Sequence, residues 1–490
     1  MTTQSQVAAP PRTVEDPPRE GRVGQVVVGA AAIIAVGSTL LLLTITLDRL
    51  AAGTMTVVLL MALLLSRVHI GVAMAIAGLL GVFNQQGAPG IASMLRSMPH
   101  DTSASWSLTV IPMFVLMGML LWRSGITDKA YRAAGNWLGF LPGGLAVTTN
   151  LAGGGLSAAS GSTLGMVYAL GRVGIPSMLT ARYPVPLALA SVMTVGTSSQ
   201  LLPPSLLLVI YSGVAGTVVS DQLLAGIVPG LLLLGVNAVA FVIWAAVAER
   251  RRGESFGRQS CSWGERLRSL VAVWPLVLLV VVVLGGLNNG YFTATEAGAV
   301  GAGLALVYLL VTVRRGAVAA VMRASSDTVS TVGAIFLLVI GSAILSRSLA
   351  VNGMTSWMGD MLQDAGISKL QFLLITLVIY LVLGMFLEPM SMILLSVPIL
   401  MPMLVHLEVD LVWFGVFTVL MAELGHVTPP VGILLYLVHR LAQEPEVNQG
   451  VTVTMRHAMA AAGAFAGLGV VMALLLIGFP DVTGWLAKGG

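Results

Sequence analysis

The chain has 490 residues, of which 57% are hydrophobic and only 9% charged, and 25 Lys and Arg against 21 Asp and Glu give a net charge of +4. So few charged side chains cannot cover the surface of a soluble protein, so the composition indicates a polytopic membrane protein. Apolar runs of about 20 residues, enough to cross a core about 30 Å thick, exclude an outer-membrane barrel with its shorter strands. One cysteine excludes an internal disulfide and a thiolate metal cluster, and the short basic loops indicate membrane topology rather than nucleic-acid binding.

The N-terminal part predicts a tail, an extra helix and the first scaffold helices. Residues 1–22 are rich in proline and charge and predict a disordered cytoplasmic tail. The apolar run 23–47 is too long for a signal-peptide core and predicts an additional, retained membrane helix. Basic loops mark the cytoplasmic side by the positive-inside rule. Crossings counted from them predict scaffold helices over 51–122 and an amphipathic arm over 126–140 on the cytoplasmic face.

A first transport repeat is predicted over 143–248. The segment 143–182 has two basic ends and a small, glycine-rich middle, which predicts a re-entrant hairpin with its tip at 160–163. The segment 186–211 is apolar but contains two adjacent prolines. Proline removes a backbone donor and clashes with the preceding turn, so this helix must break. A polar break at membrane depth persists only inside protein or beside a watery cavity.

The second half repeats this order with inverted sense. Scaffold helices are predicted over 269–349, with a surface segment at 317–327 before the last of them. A second transport repeat, 370–478, contains a hairpin over 370–406 and a broken helix over 411–437. Tip and double proline are similarly spaced in both halves, and LLPPSLLLVIY resembles HVTPPVGILLY. Such inverted repeats are typical of secondary transporters, so we expect an all-α, elevator-type protein in which hairpins and broken helices move against a scaffold.

Oxygen atoms at the tips and breaks predict the binding residues. Sodium prefers oxygen ligands, which hydroxyls and freed carbonyls supply. The first predicted ion site comprises Ser160, Gly161, Ser162, Thr163, Gly196, Thr197 and Ser198. The second, pseudo-symmetric site comprises Glu388, Pro389, Ser391, Gly425 and Thr428. An anionic substrate is expected between the tips, near the start of each second half-helix. Its predicted contacts are Ser162, Pro203, Pro204, Ser205, Thr428, Pro429 and Pro430. For each single Ser or Thr, the alternative is a hydrogen bond to its own helix.

Three carboxylates fall at membrane depth, where an ionisable residue is a functional candidate by default. Glu388, at the second tip, is predicted to bind an ion or to take part in gating. Glu423 precedes the second break, and pairing with His426 is the alternative. Glu296 follows Thr293 at the spacing of a helix capping box, which predicts a structural role.

Several stretches, in order from about Thr54 to the C-terminus, resemble the large membrane (M) subunit of TRAP (tripartite ATP-independent periplasmic) transporters, the DctM-like family of the ion-transporter superfamily. They are IPMFVLMG (111–118), LPGGLA (141–146), SGSTLG (160–165), LPPSLLLVIYSG (202–213), IVPGLLL (227–233), FTATEAGAV (292–300), GMFLEPMSMILLSVPILMP (384–402) and HVTPPVGILLYLV (426–438). The sequence departs from the family pattern at 163–165 and at Met421, where the family commonly has Asn.

The resemblance implies sodium-driven uptake of a small organic anion, a carboxylate or a sugar acid, across the bacterial cytoplasmic (inner) membrane. It implies two partners, a small four-helix membrane (Q) subunit and an extracytoplasmic solute-binding (P) protein, and no cofactor besides sodium ions. One alternative is a stand-alone anion:sodium symporter. An intramembrane enzyme is disfavoured because the sequence has no GxSxG, HExxH or paired mid-membrane Asp or His. A passive channel would explain the polar breaks but not the inverted hairpins.

Overall fold

The computed structural model describes residues 22–105, 108–160, 163–258 and 261–487, and throughout these ranges the ordered elements are helices. Eight of the described helices are long and apolar enough to cross a membrane. The prediction of an all-α polytopic membrane protein is therefore confirmed. The predicted disordered tail lies outside the described residues except for Arg22, which begins the first helix.

Ten helices form the first half, and they include the additional N-terminal helix, the arm and the first repeat. They are α1 (Arg22–Thr44), α2 (Arg49–Leu65), α3 (Ile70–Ser103), α4 (Val110–Arg123), α5 (Ile126–Leu138), α6 (Gly144–Ser160), α7 (Thr163–Thr180), α8 (Val185–Ser199), α9 (Leu206–Ala215) and α10 (Val219–Arg252).

Eleven helices form the second half, and they include the second repeat. They are α11 (Trp263–Asn288), α12 (Ala294–Val313), α13 (Ala317–Val351), α14 (Met354–Asp364), α15 (Lys369–Gly384), α16 (Pro389–His406), α17 (Leu411–Val427), α18 (Ile433–Leu441), α19 (Pro445–Asn448), α20 (Met455–Gly478) and α21 (Asp481–Ala487).

Both broken helices are interrupted at their double prolines. Helix α8 ends at Ser199 and α9 begins at Leu206, while α17 ends at Val427 and α18 begins at Ile433. The bond between the two prolines is cis in both breaks. Each break follows a pair of helices, α6 with α7 in the first repeat and α15 with α16 in the second. The two hairpins and two broken helices predicted from the sequence are therefore present.

The amphipathic arm leaves the scaffold at a sharp bend. Helices α4 and α5 meet at 70°. Gly125, between them, has a φ of 74°, a left-handed conformation that glycine adopts without the steric cost of a side chain. Helix α5 packs against α6 and α11, so it connects the first hairpin with the scaffold.

Helix α13 is longer than the sequence predicts. We expected a separate surface segment over 317–327, but α13 is one helix of 35 residues. The expectation is wrong because this stretch contains no proline, and the helix continues from its start after Gly316. At about 1.5 Å per residue it is roughly 50 Å long, well beyond a core about 30 Å thick. Asp327 accepts a 2.6 Å hydrogen bond from Arg123 at the end of α4, which ties the two helices together.

Helix α3, within the predicted scaffold region, is also long. It continues across a kink at Gly87, where φ is 67° and ψ is −164°, to Ser103. Asn84, before the kink, donates hydrogen bonds from Nδ2 to the carbonyl oxygens of Leu42, at 2.9 Å, and Ile45, at 2.6 Å. These bonds satisfy carbonyls at the C-terminal end of α1. The additional helix is therefore fixed to the scaffold at that end.

Close packing of α3 and α13 depends on facing glycines. A Cβ added to Gly341 would lie 2.3 Å from the carbonyl oxygen of Gly71, whereas one added to Gly333 would meet nothing within 4 Å. We expect Gly341→Ala to lower the free energy of unfolding by about 1–3 kcal/mol, the usual cost of overpacking. Gly333→Ala on the same helix is the control and should be neutral or slightly stabilising. Thermal unfolding in detergent measures both, and equal melting temperatures for the two variants would contradict the packing.

Candidate functional site

A cavity of about 390 Å³ lies where the two repeats meet. We call it the central cavity. Both hairpins, both broken helices and α13 contribute to its wall. Its lining residues in the described ranges are His69, Thr163, Leu164, Gln200, Leu207, Ser330, Thr331, Ala334, Ile335, Leu338, Glu388, Pro389, Met390, Ser391, Glu423 and His426.

Three helices begin at the central cavity. The first turn of α7 contributes Thr163 and Leu164, that of α9 contributes Leu207, and that of α16 contributes Pro389 and Ser391. The first N–H groups of a helix have no intrahelical acceptor, and the helix dipole places partial positive charge there. The described lining residues include no Lys or Arg. Helix N-termini therefore supply positive potential for an anion in this cavity.

Two helices end at the central cavity and supply the opposite potential. Gln200 follows the last residue of α8, and Glu423 and His426 belong to the end of α17. The last carbonyl groups of a helix carry partial negative charge, which favours a cation. The same cavity therefore presents one surface suited to an anion and another suited to a cation.

Glu423 joins the two repeats across the central cavity. Its Oε1 accepts a 2.7 Å hydrogen bond from the hydroxyl of Thr163, at the start of α7. Both ring nitrogens of His426 are without a hydrogen-bond partner among the described residues. The pair of Glu423 with His426 that the sequence allowed is therefore not formed, and the carboxylate contacts the first repeat instead.

The first predicted ion site is only partly within the described residues. Gly161 and Ser162 lie outside them, and so does the side chain of Ser160. Thr163 and Gly196 are neighbours, since a Cβ added to Gly196 would lie 2.6 Å from Cγ2 of Thr163. The structure thus brings the start of α7 and the end of α8 together, as that prediction requires.

The other two residues of the first predicted site make local or different contacts. Thr197 donates from its hydroxyl to the carbonyl oxygen of Thr194 at 3.0 Å, a bond within its own helix. Ser198 accepts a 3.0 Å hydrogen bond from Asn237 and donates to Asn150 at 3.5 Å. Its hydroxyl therefore faces α6 and α10 rather than the central cavity. The assignment of these two residues to an ion site stays a prediction.

Three residues of the second predicted ion site line the central cavity. They are Glu388, Pro389 and Ser391. Glu388 is the N-cap residue of α16, but its side chain makes no capping hydrogen bond. Its carboxylate is therefore not used to cap the helix it precedes.

The remaining two residues of the second predicted site have structural contacts. Gly425 allows α17 to approach α15, because an added Cβ would lie 2.6 Å from Cα of Gly384. Thr428 donates from its hydroxyl to the carbonyl oxygen of Leu424 at 2.7 Å. The sequence left open that any single hydroxyl could bond to its own helix instead of an ion, and Thr428 makes such a bond. Their role as ion ligands also stays a prediction.

The predicted substrate contacts that the structure describes are not among the lining residues of the central cavity. Ser205 is the N-cap of α9: its hydroxyl accepts from the backbone N–H of Leu208 at 3.2 Å and donates to the carbonyl of Gln200. Gln200 and Leu207 reach the cavity from either side of this break. Ser162 is outside the described residues, and the other predicted contacts are not among the described lining residues: Pro203, Pro204, Ser205, Thr428, Pro429 and Pro430.

The wall formed outside the two repeats was missed by sequence reasoning. It contains His69, at the start of α3, and the adjacent Ser330 and Thr331 on α13. The polar run SSDTVST, residues 325–331, was the available signal, because hydroxyls clustered in a membrane helix indicate a cavity or a partner. The sequence interpretation missed this cluster because it assigned the residues up to 327 to a surface segment and the later ones to a membrane helix.

Glu296 has the structural role predicted for it. Its carboxylate accepts from the backbone N–H of Thr293 at 2.9 Å, and its own N–H donates to the hydroxyl of Thr293 at 3.4 Å. This capping box begins α12. Of the three carboxylates at membrane depth, Glu388 and Glu423 therefore line the central cavity and Glu296 does not.

The fold and the cavity define a membrane transport protein built from two inverted repeats. Residues 57–482 match the family model described as "Tripartite ATP-independent periplasmic transporter, DctM component". The chain belongs to this family, the large permease components of TRAP transporters. Family membership and the candidate spans place it in the bacterial cytoplasmic membrane, as predicted.

Individual relatives agree with this assignment, and one solved structure has a similar fold. The chain is 32% identical to the C4-dicarboxylate TRAP transporter large permease protein DctM of Rhodobacter capsulatus over 411 residues, 77% of this chain and 88% of that one. It is 31% identical to the sialic acid TRAP transporter large permease protein SiaM of Vibrio cholerae over 341 residues, 70% of this chain and 79% of that one. The YdaH transporter of Alcanivorax borkumensis has a similar fold, with a TM-score of 0.58 and 14% identity over 82% of this chain and 90% of that one.

The central cavity should be accessible to water. In a Cys261→Ser background, we expect Ala334→Cys, which lines the cavity, to react with a water-soluble methanethiosulfonate reagent about tenfold faster than Leu337→Cys. Leu337 is exposed on the same helix but is not among the lining residues, so its thiol would face lipid, where the reactive thiolate is not formed. Labelling rates measured by mass spectrometry test this. Equal rates at the two positions would contradict a hydrated cavity.

Proposed function

We propose that this chain is the permease subunit of a sodium-coupled importer of a small organic anion, a carboxylate or a sugar acid. An extracytoplasmic solute-binding protein delivers the anion, and a small four-helix membrane subunit completes the complex. The names of the two relatives above support this substrate class, since both C4-dicarboxylates and sialic acid are organic acids.

The arrangement of helix ends around the central cavity is the observation that carries the proposal. Three helix N-termini and two helix C-termini meet in one space at the junction of the repeats. An anion and a cation therefore find complementary potentials within the same cavity. Discontinuous helices of this kind are how secondary transporters bind substrate and coupling ion near the middle of the membrane.

A second cavity supports alternating access by an elevator movement. This cavity, of about 600 Å³, is lined by Asp101, Gly213, Arg347 and Pro398 among others. The central cavity and this second one lie at successive levels along α13 and α16. In the wall of the second cavity, Ser342 on α13 donates a hydrogen bond to the carbonyl oxygen of Leu394 on α16. We propose that the repeats slide past α13 at this contact, which exposes the anion to each side of the membrane in turn.

The rival function is a stand-alone anion:cation symporter that needs neither partner. It would use the same cavity and the same coupling ion, so the cavity does not separate the two. The family supports the tripartite form, because the description of its model names a tripartite transporter. Uptake without a binding protein would support the symporter instead.

The proposal predicts that uptake into reconstituted vesicles requires a sodium gradient, the binding protein and the small subunit. We expect C4-dicarboxylates or sugar acids to be taken up only when an inward sodium gradient and the binding protein are both present, together with the small subunit. The coupling ion supplies the driving force, so replacing external sodium with potassium should reduce uptake to the level of empty vesicles. The measurement is accumulation of radiolabelled acids. Equal uptake with and without the sodium gradient would contradict sodium coupling.

A further inference from the structure

We infer that Glu423, in the second repeat, is the charged ligand of a monovalent-cation site that it shares with Thr163, at the first hairpin. This inference rests on the proposed function, because it identifies a ligand for the coupling ion. In the proposed site, the carboxylate comes from the second repeat and the hairpin that it contacts belongs to the first repeat.

Burial leaves the Glu423 carboxylate in need of a counter-charge. The side chain is fully buried, and Oε2 has no hydrogen-bond partner among the described residues. Only Oε1 is bonded, to the neutral hydroxyl of Thr163 at 2.7 Å. A buried carboxylate is costly unless a positive charge or several donors compensate it. A bound cation beside Oε2 would supply the missing charge.

Protein side chains do not supply that charge. The ion pairs found among the described residues involve Arg123, Arg172, Arg182 and Arg258, and each of these pairs with another carboxylate. The lining of the central cavity includes no Lys or Arg within the described ranges. The other ionisable groups at the cavity are Glu388, which adds negative charge, and two histidines, of which His426 makes no bond to Glu423.

Gly196 leaves space next to the unpaired oxygen. A Cβ at this position would lie 3.2 Å from Oε2 of Glu423 and 2.6 Å from Cγ2 of Thr163. The glycine therefore keeps a small space open between the end of α8, the start of α7 and the side chain of α17. Oε2 of Glu423 borders this space together with methyl groups of Thr163 and Leu434, and the Thr163 hydroxyl is held next to the same carboxylate. Hard cations such as sodium prefer oxygen ligands of these two kinds. With a single carboxylate, the site balances one positive charge.

A cation at this position would link ion binding to anion binding. Glu423 and Glu388 both line the cavity that holds the anion, so without compensation both carboxylates would repel it. Neutralising Glu423 removes part of that repulsion. Because coupling between two ligands is reciprocal, a bound anion would also raise the affinity of the site for sodium. The Thr163 contact would be held at the same time, so the first hairpin would be closed against the second repeat.

Sodium binding to the purified full-length protein in detergent tests this inference without any transport assay. Melting temperature is measured against sodium chloride, with choline chloride keeping the ionic strength constant. We expect sodium to raise the melting temperature of the wild type, since a ligand that binds only the folded state stabilises it. Glu423→Gln keeps the hydrogen bond from Thr163 but loses the charge, so its apparent sodium affinity should fall at least tenfold. Glu296→Gln, which removes a carboxylate from the capping box of α12, is the matched control and should keep wild-type sodium affinity.

Two further results separate the possible failures. Gly196→Ala fills the proposed space without changing the charge, so it should also lose sodium stabilisation, which provides a test if Glu423→Gln does not fold. If the wild type is stabilised by sodium and both variants respond equally, the role of Glu423 is overturned while sodium coupling stands. If the wild type shows no sodium-specific stabilisation, the sodium coupling in the proposed function fails together with this inference.

Discussion

A helix that stops inside a membrane leaves backbone groups without partners, and lipid cannot supply them. This constraint organises the whole protein. Both double prolines force such a stop, so each broken helix requires protein or water beside its free ends. The hairpins meet that requirement by bringing their own helix ends to the same place. The central cavity follows from this meeting, and so does its division into regions that favour an anion and a cation.

Direct hydrogen bonds join the two repeats. Thr163 and Glu423 bond across the cavity although they are 260 residues apart in the chain. Within the second repeat, the facing glycines Gly384 and Gly425 let α15 and α17 approach until their backbones touch. Helix α13 forms one wall of the central cavity and packs against α16 of the second hairpin.

The helix breaks and the first hairpin could be predicted from the sequence because proline and glycine control the backbone conformation directly. Proline pairs and a glycine-rich stretch located both breaks and the first hairpin, because these residues change what the backbone can do regardless of tertiary context. Side-chain partners were not predictable in this way. Ser198 bonds to Asn237 and Ser205 caps α9, and nothing local to either serine distinguishes those roles from ion binding. The length of α13 was missed because basic and hydroxyl residues resemble a surface segment until packing shows that the helix continues.

The most direct test of the account is a map of the protein determined with sodium and a transported acid bound. The account predicts density for both in the central cavity, with the cation next to Glu423 and Thr163 and the anion near the first turns of α9 and α16. Density for the acid only in the other cavity, beside Arg347, would contradict it. Continuous helical density through the double prolines would remove its physical basis altogether.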